Sequence, residues 1–149
     1  NAIAEFTSQL AFAEPTNGMD PTFKVTLKDS KLTTGAKFQI WQTGSELVVD
    51  NSIINVGHFL NRGTVTVKNK SIFEGTTIQY GESGGGNDGT ITVDNSTLTV
   101  KADSPGHAFD GKGIGSISAT NGATVNVDYY KAMTISTDAT STFTGTEVQ

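Results

Sequence analysis

Residues 90–100 of this chain read Thr-Ile-Thr-Val-Asp-Asn-Ser-Thr-Leu-Thr-Val. Two short runs of alternating apolar and hydroxyl side chains flank an Asp-Asn-Ser turn, a pattern that predicts two β-strands, each with one buried face. Five such turns occur along the chain, each with an Asn or Asp preceded by apolar residues two and four positions earlier. These five anchor residues are Asp29, Asn51, Asn69, Asn95 and Asn121.

The repeats predict an all-β chain folded as a single-stranded right-handed parallel β-helix of about five to six irregular coils. Successive anchors are 22, 18, 26 and 26 residues apart, and this unequal spacing is typical of a solenoid whose loops vary in length. Asn and Asp tolerate the left-handed backbone of a tight turn. Stacking at ~4.8 Å per coil would place the anchors in a polar ladder along one edge. A β-sandwich or jelly roll is the alternative.

The N-terminal segment differs from the repeats. Residues 1–20 are interpreted as an N-terminal cap or lead-in, because Ile3, Phe6 and Leu10 have helix-compatible spacing, with an extra strand as the alternative. Residues 21–149 are then the β-solenoid domain. The Thr- and Ser-rich end of the chain is expected to add a last coil or two.

Composition and charge limit the classes of function. The 149 residues include 10 basic and 15 acidic ones, with Arg62 as the only arginine. Without a basic patch, nucleic acid is not an expected partner, and no apolar run is long enough to predict membrane insertion. The chain has no cysteine, which excludes disulfides and thiolate metal sites. This composition is compatible with a secreted or cell-surface bacterial protein, and it leaves the oligomeric state open.

Residues 93–100, together with residues 101–111 after them, resemble bacterial extracellular β-helix repeats. Such repeats occur in adhesins, autotransporter passengers and pectate-lyase-like domains. The style of the repeat is also similar to that of the clostridial polygalacturonate-binding β-helix family, and the likeness extends over nearly the whole chain. The resemblance implies a polyuronate-like carbohydrate and calcium as ligands. It transfers no catalytic residue to this sequence.

Two loops contain oxygen ligands of the kind that calcium prefers. One loop carries Glu82 and Asp88, and the next carries Asp103 and Asp110. Because the loops belong to successive coils, we expect them to be neighbours in space. Calcium is therefore a candidate cofactor, and no other cofactor is expected. Lysines at 101 and 112 flank the second loop, where a polysaccharide-lyase-like base is the residual enzymatic interpretation.

Aromatic residues mark a second candidate site. Trp41 follows the inward Ile40, so strand alternation predicts an outward indole ring. Tyr129 and Tyr130 are consecutive, and one of them should face outward. Exposed rings of this kind are candidates for carbohydrate binding. The Thr pairs at 64/66, 90/92 and 97/99 also suggest the flat hydroxyl array of an ice-binding solenoid, although the irregular coil lengths argue against that interpretation.

The sequence contains no recognisable catalytic set. Its two histidines, His58 and His107, fall in predicted turns, and no nucleophile elbow is present. We therefore expect a non-catalytic solenoid module that acts in adhesion or as a structural stalk, with an extracellular glycan or a host surface as its partner. The alternative is a carbohydrate-binding module for a polyuronate-like chain, assisted by calcium.

Overall fold

A computed structural model describes residues 2–6, 10–12, 22–35, 37–77 and 86–149 of the chain. These residues form β-strands joined by short turns, with one 3₁₀ turn at Pro105–His107 and no α-helix in the described part. The strands are β1 (Ile3–Phe6), β2 (Leu10–Phe12), β3 (Lys24–Lys28), β4 (Lys31–Thr34), β5 (Phe38–Ile40), β6 (Glu46–Asp50), β7 (Ile53–Asn61), β8 (Thr64–Lys68), β9 (Ile72–Thr77), β10 (Thr90–Asp94), β11 (Thr97–Ala102), β12 (Phe109–Thr120), β13 (Thr124–Thr137) and β14 (Thr142–Glu147).

The strands stack coil upon coil in parallel sheets. The first sheet contains β3, β6, β8, β10, residues 116–120 of β12 and residues 133–137 of β13. The second sheet contains β1, β4, the start of β7, β9, β11, the start of β13 and β14. A shorter third sheet contains β2, β5 and residues 59–61 of β7. Every strand pair described is parallel, so the chain is a β-solenoid of about five turns, and the predicted fold class is confirmed.

The core runs through the coils between the sheets. Inward residues two positions apart, such as Val65 and Val67, are fully buried in the first sheet. Leu98 and Val100 occupy the matching positions in the second sheet. Phenylalanine rings fill the interior beside the third sheet, with the Phe59 centroid 4.7 Å from Phe73 and 5.7 Å from Phe109. One continuous apolar column therefore supports all three sheets.

The differences in coil length lie outside the first sheet. Glu46, Thr64 and Thr90 are separated by 18 and then 26 residues, yet they pair directly and without a register shift. The additional residues fall after the second sheet, for example in the segment 103–115, where β12 contains a bulge between Asp110 and Gly115. Irregular spacing in the sequence therefore coexists with a regular first sheet.

The described part of the N-terminal segment is extended. β1 pairs with β4 in the second sheet, and β2 pairs with β5 in the third. Strands rather than a helix thus occupy residues 3–6 and 10–12, because their backbone groups extend sheets that already exist. These two segments therefore follow the extra-strand alternative and not the helix that their spacing also allowed.

Candidate functional site

The five anchors occupy equivalent positions at one corner of the solenoid. Each follows the last paired residue of a first-sheet strand, and each has a left-handed backbone, with φ between 45° and 58°. All five are exposed. A hydrogen bond from an anchor side chain reaches either another anchor or the Asp that directly precedes an anchor in the neighbouring coil. Asn51 donates to Asp29 over 2.6 Å, but Asn69 donates to Asp50 over 2.7 Å and Asn121 donates to Asp94 over 2.5 Å.

The buried ladder at this corner is made of serines that follow the anchors. The backbone N–H of Ser30 donates to Ser52 Oγ, that of Ser52 to Ser71 Oγ, and that of Ser71 to Ser96 Oγ, each over 3.0 Å. Ser52, Ser71 and Ser96 are buried. The inner serine ladder, as we call these four residues, therefore satisfies polar backbone groups that the turn would otherwise leave buried and unbonded. The sequence signal was a Ser within two residues of the anchor.

Asp138 ends the anchor corner in the last coil, although no strand pattern of the anchor type precedes it in the sequence. Its Oδ2 accepts the Asn121 N–H over 2.7 Å, and its Oδ1 accepts the Thr140 N–H over 3.0 Å. Hydrogen bonds from the Asn121 backbone, then from the Ser141 side chain and from Thr140, hold the pKa of Asp138 well below its usual range. Ser141 Oγ accepts the Ala123 N–H over 3.1 Å. The missed signal was an Asp 17 residues after Asn121.

The predicted calcium loops do not converge on a common point where they are described. Asp88 pairs with Arg62 over 3.2 Å, and Asp110 pairs with Lys112 over 3.1 Å. Asp103 pairs with His107, whose hydrogen bond lowers the pKa of the Asp103 carboxyl. Glu82 lies outside the described residues. Within the described ranges, no group of three or more His, Asp or Glu side chains is close enough to hold a metal ion.

The aromatic candidates occupy different parts of the solenoid. Trp41 is half-buried, and its indole N–H donates to Gln39 Oε1 over 3.3 Å. Gln39 is itself buried, although strand alternation predicts that it faces outward. Tyr129 and Tyr130 are both half-buried, and the ring of Tyr130 packs edge-on against Phe143 at 5.3 Å. Trp41 and the tyrosines lie four coils apart, ~19 Å along the axis, so they do not form one compact site.

A second repeated corner lies directly before the first-sheet strand in two successive coils. Residues 61–67 read Asn-Arg-Gly-Thr-Val-Thr-Val, and residues 87–93 read Asn-Asp-Gly-Thr-Ile-Thr-Val. The Asn61 N–H donates to Asn87 Oδ1 over 2.9 Å, and a Cβ on Gly89 would lie 2.2 Å from the Gly63 carbonyl oxygen. The glycine is required by this close approach of two backbones. The signal of this corner in the sequence is the repeated Asn-x-Gly triplet, whose two copies are 26 residues apart.

The outer surface of the first sheet carries a regular array of hydroxyl groups. Two outward columns cross four successive strands, and the register places their members side by side. One column contains Thr64, Thr90, Ser116 and Thr134, and the other contains Thr66, Thr92, Ser118 and Ser136. We call these eight residues the outer hydroxyl face. All eight are exposed or half-buried, and none carries a charge.

Comparison with known proteins finds no family model, no curated protein and no solved structure that matches this chain. The class of protein is therefore defined by its fold alone, which is a parallel β-solenoid. Among the described residues, no helix is long and apolar enough to span a bilayer.

Proposed function

We propose that the chain is a non-catalytic β-solenoid module of a secreted or cell-surface bacterial protein, acting in adhesion or as a structural stalk. The observation that supports this proposal most is the continuous interior. Apolar columns and the inner serine ladder join successive coils from Ser30 to Ser96. Since each coil is bonded to its neighbours along the axis, the solenoid is built to be a stiff rod with a repetitive exterior.

The ionisable groups in the candidate loops also favour a role without catalysis. Asp88, Asp103 and Asp110 are each paired with a separate basic side chain. A lyase of the calcium-assisted type would instead need carboxylates directed at one cation and a free base beside them. The pairs are better suited to fixing the loops than to binding and cleaving a polymer.

Adhesion and support can be separated by experiment. Beads coated with the chain are passed over epithelial cells and extracellular glycans under flow, and tandem copies are unfolded by force spectroscopy. Attachment supports an adhesin, and a high unfolding force without attachment supports a stalk. If the beads fail to attach and the tandem unfolds at low force, the proposal is wrong. Eliminative cleavage of polygalacturonate would also contradict it.

Carbohydrate binding is the second candidate function, and the environment of Trp41 favours it. The hydrogen bond to buried Gln39 fixes the indole ring in one orientation, and a fixed aromatic ring is a suitable platform for a sugar. We expect Trp41→Ala to abolish binding on a glycan array that includes polygalacturonate, with and without a calcium chelator. Tyr129→Ala, four coils away, is the matched control and should retain binding. Equal binding by all three proteins would exclude a site at Trp41.

A further inference from the structure

The outer hydroxyl face is periodic in two directions. Neighbouring strands lie ~4.8 Å apart, and residues two positions apart on one strand lie about 6.6 Å apart. Residues at 64 and 66 align with 90 and 92, then with 116 and 118, and then with 134 and 136, with no register shift between them. In the sequence, the varying coil lengths argue against a regular array. In the structure, the additional residues lie in loops outside the first sheet.

The hydroxyls of this face are available to an external partner. Among the described residues, the only hydrogen bond within the array is a long one, from Ser116 Oγ to Thr90 Oγ1 over 3.4 Å. The other six side chains make no hydrogen bond to a described residue. In the inner serine ladder, by contrast, Ser52 and Ser71 each accept one backbone N–H and donate to a carbonyl. A free hydroxyl can donate one hydrogen bond and accept two.

The chemistry of the face restricts the kind of partner. The same outward columns carry Lys24 and Glu46 in the first two strands, but no charged residue from Thr64 to Ser136. An ionic surface or an anionic polymer would not be matched by an uncharged face. The eight positions also contain no aromatic ring on which a sugar could stack. A partner matched to this face is uncharged, is repetitive in two dimensions, and both donates and accepts hydrogen bonds at every point.

We propose that the outer hydroxyl face binds the ordered water lattice of an ice surface. Each water molecule of such a lattice donates and accepts, as each Thr or Ser hydroxyl does. The ordered spacing is supplied by a sheet whose register is fixed from inside by the buried core and the inner serine ladder. Charged Lys68 and Asp94 lie at the edge of the array, two residues beyond Thr66 and Thr92 on the same face. This inference does not depend on the proposed adhesive role.

The test uses the full chain and two matched variants. Ice shaping, inhibition of ice recrystallisation and partition into a growing ice hemisphere are measured for the wild type, for Thr92→Lys and for Thr33→Lys. Thr92 is central in the face, and its neighbours on both sides are Thr66 and Ser118. Thr33 is an outward residue of β4 in the second sheet, between Glu5 and Asn55, and so receives the same substitution away from the face.

We expect the wild type and Thr33→Lys to shape and enter ice, and Thr92→Lys to lose both activities. Thermal unfolding of all three proteins verifies that the solenoid is intact, and Ser118→Lys provides a second substitution on the face. A wild type without activity on ice overturns the proposal, and so does equal activity of Thr92→Lys. Binding of crystalline cellulose or chitin that is sensitive to Thr92→Lys, without ice activity, would assign the face to a polysaccharide and also overturn it.

Discussion

The solenoid carries two series of hydroxyl side chains that differ in what they bond. In the inner serine ladder, each buried Oγ bonds to the backbone of a neighbouring coil. On the outer hydroxyl face, the side chains of Thr64, Thr66 and most of their neighbours bond to no described residue. The same functional group therefore stabilises the fold in one place and is left available in the other. Position relative to the sheet, rather than residue type, decides which role a Ser or Thr takes.

The largest effect should come from the corner that precedes the first-sheet strands carrying the outer hydroxyl face. Gly89→Ala places a Cβ 2.2 Å from the Gly63 carbonyl oxygen, which would force the backbones of two coils apart. We expect a loss of at least about 3 kcal/mol in the free energy of unfolding, measured by urea denaturation. Gly35→Ala is the control, because a Cβ there meets no atom within 4 Å. Equal stability of the two variants would show that the corner can relax.

A direct contrast between the two series is available from single substitutions. Ser71→Ala removes the acceptor of the buried Ser52 N–H, and an unbonded buried donor costs about 1–3 kcal/mol. Thr66→Ala on the outer face should change stability by only about 0.5 kcal/mol or less. Both are measured by urea denaturation under the same conditions. A similar loss in the two variants would remove the distinction between a structural and an available hydroxyl.

The inner ladder is interrupted at Ala123, which provides a test in the stabilising direction. Ala123 stands where the other coils have a serine, and its turn, Asn121-Gly122-Ala123, has the same length as Asn69-Lys70-Ser71. We expect Ala123→Ser to accept the Ser96 N–H and to add about 1 kcal/mol to the free energy of unfolding. Ala139→Ser, at an exposed position, is the control and should have no effect. A destabilised Ala123→Ser would mean that the site has no room for the hydroxyl.

The sequence predicted the parts of the fold that repeat. Apolar residues at fixed offsets from Asp29, Asn51 and the other anchors identified the first-sheet strands, because strand alternation is a local property. The exposed Asn and Asp were also the most visible turn residues, and their left-handed backbones agree with that interpretation. The buried serines beside them were less visible, since Ser is common throughout the chain and only burial distinguishes one from another.

Properties that depend on neighbouring coils were harder to predict. Strand alternation with Ile40 predicts that Trp41 and Gln39 both face outward, but Trp41 is half-buried and Gln39 is buried. The sequence predicted Asp88, Asp103 and Asp110 as candidate cation ligands and did not indicate that each lies beside a basic side chain in three dimensions. The varying anchor spacing suggested an irregular surface. Register is set by the core and not by loop length, so the surface of the first sheet is regular.

The smallest effect should be a pH dependence that the anchor corner has and the inner ladder lacks. Hydrogen bonds from the Asn121 backbone, Ser141 and Thr140 lower the pKa of Asp138 in the folded chain. The folded state therefore binds fewer protons than the unfolded state, in which the pKa is about 3.9. The stabilisation is complete above that pH and is lost as the pH falls through the lower pKa of the folded state.

Asp138→Asn removes this titration, because an amide accepts a hydrogen bond without a charge. We expect the stability difference between the wild type and Asp138→Asn, measured as urea midpoints at several pH values, to shift in favour of the variant as the medium becomes more acidic than about pH 4. The effect should be small, since the carboxylate is exposed. The loss caused by Ser71→Ala should not change over the same range, because a serine hydroxyl does not titrate. A constant difference for Asp138→Asn would show that its hydrogen bonds do not depend on charge, and the anchor corner and the inner serine ladder would then respond alike to pH.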